Sequence, residues 1–483
     1  MLLRLLTFGT AALLATFPGQ LAWASPGLVA QAEDTSSETE EPEDTSDAIP
    51  GTPNLENPAN DQSLDEVDQL ILEGLTLYET GNLTEAKTTL DQALVAARND
   101  EDLAQESFAL TMLGLVTVNQ GDNAAAADYS QQALTVLENV EDPESTVVAL
   151  NVLALASQSQ GNLPDAITHS QESLKIADSI SFDSGKLNSL SILATSYRAL
   201  GQYPLALDSA QLMIPLAQSQ RNGRALLTAL NVASSSLLAL EDYETALTAS
   251  EDALTVATEL ESPSNRALAL NNVGMAHYRL QNLDQAIEAQ TEALELAEAE
   301  GLVDAQLTAL YVLALAHYDQ EDLETSVEFY QQRLNLSRES NAVGAELQSL
   351  LGLSSVYLDD GQYENAIASF DDLLTLSEER NQPLFESLSL SGLGFANVQL
   401  ENYPEAQGYL ERALVIAQDM GDLEAEFGLL SLLAEVHQVQ NNTQQAADYA
   451  AQAAALQAEA AAENALPADN EASDEEVSDD EAE

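Results

Sequence analysis

The sequence predicts an all-α, helical-repeat solenoid of about ten helix-turn-helix units. Three observations carry that prediction. A turn followed by a helix start recurs ten times at a spacing of forty residues with no insertion or deletion, from Gly81-Asn82-Leu83 through Gln281-Asn282-Leu283 to Asn441-Asn442. Prolines fall into two columns of the same period: Pro164, Pro204 and Pro404 at the start of the second helix, and Pro143, Pro263 and Pro383 at the start of the first. Small residues fill two further columns, such as Gly74, Gly114 and Gly274 on first helices and Ala86, Ala126 and Ala286 on second helices, where the two backbones should cross. A fixed period of this length marks stacked units, each burying the face its neighbour leaves open.

Residues 1–24 read as a secretory signal peptide. Arg4 is the lone positive charge, Leu5 to Phe17 is apolar, Pro18-Gly19 breaks the stretch, and Ala22-Trp23-Ala24 offers a cleavage site before Ser25. The apolar run falls short of the roughly 20 residues a membrane span needs, so cleavage is expected, with retention as an uncleaved anchor as the alternative. Residues 25–63 are rich in Ser, Thr, Pro, Glu and Asp, a composition that predicts a disordered acidic leader. Residues 64–463 hold the ten repeats, and residues 464–483 form an acidic tail of the same character as the leader.

The sixth repeat shows the design most fully. Ser264 to Leu280 carries apolar residues at helical spacing, Gln281-Asn282 turns, and Leu283 to Glu300 forms the second helix before Gly301 ends it. Proline suits a helix's first turn, where its missing N–H has no partner to lose. Asn82, Asp122, Asn162, Asp242, Asn282, Asp322 and Asn402 stand where they should cap free N–H groups. Pro215 falls inside a second helix, where a kink is expected.

Eighty-one acids against 14 bases give a formal charge of −67. Residues 64–457 still hold 60 of those acids against 13 bases, so the acidity belongs to the body as well as its ends. Such a field repels nucleic acid and anionic membranes. The acids read as dispersed, with no tight ligand cage, which favours a role in solubility. Cysteine is absent, which excludes disulfides, thiol catalysis, cysteine-ligated zinc and a cysteine-linked lipid anchor. A soluble body in the periplasm or outside the cell is the expectation.

The segment Asn271-Asn272-Val273-Gly274-Met275-Ala276-His277-Tyr278, followed by Ala286, Ala293 and Leu294, resembles the tetratricopeptide repeat. The forty-residue unit is similar to the longer repeats of kinesin light chains. The turn glycine is replaced in five copies, and the proline usual near the end of each unit is absent. The resemblance implies a right-handed solenoid whose concave groove, lined by first helices, grips an extended peptide or a partner helix. It also implies a site. In related long-repeat proteins asparagines in one inward column clasp the ligand backbone, and Asn151, Asn231 and Asn271 match that place. A carboxamide both donates and accepts, as a peptide bond requires. Met275, Tyr278, Tyr311, Tyr318 and Phe395 would add aromatic and soft apolar contact. The competing expectation is that the asparagines bond within the stack and the aromatics pack between helices.

Nothing in the chain points to catalysis. It lacks a His-Glu-x-x-His, a phosphate loop, a Gly-x-Ser-x-Gly elbow and a dinucleotide glycine pattern behind a strand. His277, His317 and His437 share a column, but neighbouring first helices about 10 Å apart cannot bring two of them onto one zinc, so core packing is expected. No metal or cofactor is implied. The expected function is an exported scaffold with a protein or peptide partner and no nucleic acid. The alternative is a non-specific acidic binder of divalent cations or basic polypeptides, which salt would disrupt.

Overall fold

A computed structural model describes residues 65–463; the expected signal, leader and tail segments lie outside the described residues. Among the described residues every element is an α-helix. They follow in pairs: α1 (Glu66–Glu79) and α2 (Leu83–Asn99), α3 (Leu103–Asn119) and α4 (Asn123–Leu137), α5 (Pro143–Ser159) and α6 (Leu163–Ile180), α7 (Asp183–Ala199) and α8 (Tyr203–Ser219). Next come α9 (Gly223–Ala239) and α10 (Tyr243–Glu259), α11 (Pro263–Arg279) and α12 (Leu283–Ala299), α13 (Val303–Asp319) and α14 (Leu323–Glu339). The last are α15 (Val343–Asp359) and α16 (Tyr363–Glu379), α17 (Pro383–Gln399) and α18 (Tyr403–Met420), α19 (Leu423–Val439) and α20 (Thr443–Glu463). Odd numbers are the first helices of the ten repeats.

The chain divides into two compact units at residues 312 and 313, within α13. In the unit that ends at Val312, successive helices from α1 to α12 pack as hairpins, and first helices also pack on one another: α1 on α3, α3 on α5, α5 on α7, α7 on α9 and α9 on α11. In the unit that begins at Leu313, successive helices from α14 to α20 pack likewise, and α15 meets α17.

The forty-residue period resolves into a twenty-residue beat. A single left-handed residue closes nearly every helix, at 81, 101, 121, 161, 181, 201 and on to 441. At the first of these turns the Gly81 N–H donates to the Tyr78 carbonyl at 3.0 Å and the Asn82 N–H to the Leu77 carbonyl at 2.8 Å. These paired bonds satisfy carbonyls a helix end leaves open. Five turns between paired helices place Glu241, Gln281, Glu321, Glu401 and Asn441 at φ near +60°, where glycine would be unstrained.

The expected caps divide by chemistry. Asp122, Asp242 and Asp322 accept from the N–H three residues on, whereas Asn82, Asn162, Asn282 and Asn402 make no such bond. The asparagine amides donate elsewhere: Asn82 to Thr80 Oγ1, Asn162 to Asp165 and Asn402 to Asn397 Oδ1. A carboxylate can only accept, so it turns to the helix; a carboxamide also has a donor to place. The kink expected at Pro215 is not needed to end the helix: α8 runs on to Ser219, and Pro215 lies exposed.

Size complementarity organises the interior. A Cβ on Gly74 would stand 2.7 Å from Leu90 Cγ, and one on Gly394 would stand 2.6 Å from Leu410 Cγ. The carbonyls of Ala126 and Ala406 lie 3.6 and 3.5 Å from the corresponding points at Gly114 and Gly394, so small residues do meet where paired helices cross. A second interlock joins successive repeats. Tyr330 and Phe370, both fully buried, occupy the space where a Cβ on Gly352 or Gly392 would sit. Where the second helix carries a serine or alanine instead, at Ser130, Ser170 and Ala210, the next first helix carries Val152, Ile192 and Val232. Large meets small in either order, which fills the interior without strain.

Polar groups also stitch repeats together. Arg333 is 4% exposed and donates to the Ala345 carbonyl, Ser349 Oγ and Gln348 Oε1 at 2.8 to 2.9 Å. His437 is buried and stacks on Tyr449 at 5.4 Å, and His317 stacks on Phe329 at 5.5 Å. Both histidines are packing residues.

Candidate interaction surface

Because first helices of the unit ending at Val312 pack directly on one another, equivalent stripes along them lie side by side, with exposed, half-buried and buried members. On α9 that stripe is Arg224, Thr228, Asn231, Ser235 and Leu238, spaced by four and three residues as one helix face requires. On α7 it is Ser184, Asn188, Ser191, Thr195 and Arg198, and on α11 it is Ser264, Leu268, Asn271, Met275 and Tyr278. Packing of α7 on α9 and of α9 on α11 brings the three stripes side by side.

The three asparagines of the expected clasp have different surroundings. Asn151, on α5, is 6% exposed; its Nδ2 donates to the Gly185 carbonyl at 3.2 Å and its Oδ1 accepts from Ser189 Oγ at 2.8 Å. Its carboxamide is therefore committed to holding α5 against α7. Asn271 donates its Nδ2 to the Ala305 carbonyl at 3.1 Å, the equivalent bond from α11 to α13, but its Oδ1 is buried with no hydrogen-bond partner. Asn231 Oδ1 is likewise buried and unpartnered. The difference comes from one column. Ser189, which donates to Asn151, is replaced by Ala269 and Ala309 in the corresponding places, so the two later asparagines have no hydroxyl to accept from. An unpaired buried acceptor costs roughly 1–3 kcal/mol, so each is a departure that asks for a partner.

The aromatic residues are also resolved. Met275 is half-buried one turn from Asn271, and Tyr278 on the same helix is 5% exposed. Tyr311 is 5% exposed on α13. Tyr318 and Phe395 belong to the unit that begins at Leu313. Phe395 is 9% exposed, and the Tyr318 hydroxyl donates to the Asp359 carboxylate. Burial and then that carboxylate push the Tyr318 hydroxyl well above its ordinary range; burial also raises Asp359. The structure thus places Asn231 on α9 and Asn271, Met275 and Tyr278 on the neighbouring α11, with Asn271 and Tyr278 buried, and gives Asn151 a role inside the stack.

Charge supplies residues the column reading missed. The acids are not evenly dispersed: residues 184–240 contain one acid, Asp208, and four bases, Lys186, Arg198, Arg221 and Arg224. The α7, α9 and α11 stripes carry no acid at all. Arg224 is exposed at the start of α9, beside Arg221 in the preceding turn. Arg198 is half-buried, and burial lowers its guanidinium below the ordinary value. Letter-by-letter charge along the chain would have shown this gap.

Tetratricopeptide-repeat family models match residues 145–219, 224–299, 265–339 and 349–384, stretches that follow the helix pairs from α5 to α16. The chain is a tetratricopeptide-repeat protein. No curated protein matches it by sequence. Among solved structures, the apo form of the quorum sensor NprR from B. thuringiensis is similar with a TM-score of 0.54 at 15% identity, over 72% of this chain and 98% of that one. The apo form of RapI has a TM-score of 0.51 at 12% identity, over 78% of this chain and 99% of that one. The signal transduction ATPase PH0952 from Pyrococcus horikoshii, which carries a tetratricopeptide repeat sensor, has a TM-score of 0.53 at 16% identity over 68% of this chain. The present repeats span 52% of that larger protein's length. These likenesses establish the repeat fold.

Proposed function

We propose that this repeat protein is an exported, non-catalytic scaffold that holds an extended peptide segment of another protein along α7, α9 and α11. The observation that carries the reading is the pair of buried, unpartnered acceptors, Asn231 Oδ1 and Asn271 Oδ1, at equivalent places on adjacent first helices. Turned outward, the two carboxamides would present these acceptors to the N–H groups of a peptide laid across the helices, with Met275 and Leu268 as apolar contact beside them. The sensor roles of NprR and of the PH0952 repeats are in keeping with a ligand-binding stack.

The test uses the chain from Ser25 onward and a peptide selected against it from a random library. The Asn231→Ala/Asn271→Ala variant should bind that peptide about tenfold or more weakly, the loss of two modest hydrogen bonds. Unchanged affinity would remove this surface from the account. Export belongs to the same proposal and rests on the apolar stretch and cleavage pattern of residues 1–24. It predicts a secreted or periplasmic product whose intact mass corresponds to a chain starting at Ser25; a product retaining Met1 to Ala24 would contradict it.

A further inference from the structure

We propose that the α7, α9 and α11 surface takes an acidic polypeptide segment, and that its resident occupant is this chain's own leader, through the cluster from Glu38 to Asp47. The inference rests on the peptide-docking reading above and names the chemistry of the ligand.

Charge is the first argument. With 81 acids against 14 bases, an exposed arginine in this chain should seldom lack a carboxylate. Lys87, Arg98, Lys186, Arg266, Arg279, Arg338 and Arg412 all have one within ion-pair reach. Among the described residues Arg221 and Arg224 form no ion pair, although both are exposed. Lys175, on the second helix α6, and Arg380, in the turn between α16 and α17, share that state, but each stands singly, whereas Arg221 and Arg224 lie three residues apart. Arg221 and Arg224 flank the cap of α9, whose first turn contains no acid, so the positive end of the helix adds to their field. Acids stand in the first turns of α5 and α13, at Glu144 and Asp304; α7 has one there too, Asp183, but it is paired with Lys186, and the first turns of α9 and α11 have none. An anionic segment would be drawn to α7, α9 and α11 and repelled by the flanking repeats.

Connectivity selects the occupant. Residues 25–63 carry ten acids and no base, and six of those acids fall at Glu38, Glu40, Glu41, Glu43, Asp44 and Asp47. The leader joins the fold at the N-terminal end of α1. Arg221 and Arg224 stand at the N-terminal end of α9, the same end of a first helix. From α1 to α9 is four steps of about 10 Å, or about 40 Å. The 18 residues from Asp47 to Asp65 span up to about 60 Å when extended. The cluster therefore reaches the arginines, and a tether of this length holds it at an effective concentration of order millimolar. A partner peptide would have to displace the leader, so its apparent affinity would fall by the fraction of molecules whose surface is already filled.

The absence of cysteine makes the test clean. The chain from Ser25 onward, carrying Ser46→Cys and Ser219→Cys, is spin-labelled at both positions and its label distances are measured by pulsed electron paramagnetic resonance. A short-distance population is expected at low salt, falling about tenfold in Arg221→Glu/Arg224→Glu and at about 0.5 M salt. Changing Glu38, Glu40, Glu41 and Glu43 to lysine in the reversed-arginine variant should restore it. A distance distribution indifferent to charge reversal and to salt overturns the proposal. A second arm titrates a synthetic peptide of residues 36–49 onto a chain whose six leader acids are changed to amides. Binding there without the short-distance population in the parent shows that the surface takes acidic segments from elsewhere, and overturns the leader as occupant. No binding of that peptide, while the library-selected peptide still binds, overturns the acidic chemistry and leaves the docking reading intact.

Discussion

Three asparagines share one column, and their neighbours give them different work. Asn151 joins α5 to α7 because Ser189 donates to its Oδ1, whereas the alanines facing Asn231 and Asn271 leave the same atom unpaired. Single substitutions should separate the two roles. Asn151→Ala is expected to lower stability by about 1–2 kcal/mol, read by denaturant unfolding, with peptide affinity unchanged. Asn231→Ala should do the reverse, weakening binding with stability nearly unchanged, because it removes an acceptor that has no bond to lose. Asn271→Ala should show both effects, since it also gives up the bond to the Ala305 carbonyl. Equal losses of stability at positions 151 and 231 would contradict this division. The column itself was legible in the sequence from the period. Which member was free was not, because that depends on a residue thirty-eight places on in the next first helix.

Repeats hold their register through reciprocal choices of side-chain size between one helix and the next. Gly352 exists because Tyr330 fills its space, and Gly392 because of Phe370. Gly352→Ala is expected to destabilise the chain by about 2–3 kcal/mol through overpacking. Tyr330→Ser combined with Gly352→Val, the pairing found at Ser130 with Val152, should cost clearly less than the sum of the two single changes. If the second change adds its own cost instead of relieving the first, the interlock is misread. Helix positions, prolines and small-residue columns could be read directly, because each follows from local sequence and a fixed period. The interlock spans a turn and two helices, so no single column displays it. The twenty-residue beat of left-handed turns was also hidden, because glutamate, glutamine, serine, arginine and asparagine share that conformation with glycine.

At the scale of the whole chain, charge is the property that distinguishes one repeat from another. The tetratricopeptide geometry is nearly uniform from α1 to α20, yet residues 184–240 hold one acid where the following turn and helix start alone bring Glu241, Asp242 and Glu244. Averaging the acids over the body conceals this gap. The division at residues 312 and 313 was equally invisible in the repeat pattern. Repeats that contact only their neighbours gain stability pair by pair, so a stack can separate into units without interrupting its period.

The central claim is that the acid-free stripe on α7, α9 and α11 is where this protein holds a peptide. A crystal structure of the chain from Ser25 onward with the library-selected peptide tests it most directly. The account predicts an extended peptide across these three helices, its backbone N–H groups donating to Asn231 Oδ1 and Asn271 Oδ1. A peptide bound on the second helices, with both asparagine acceptors still unpaired, would contradict it.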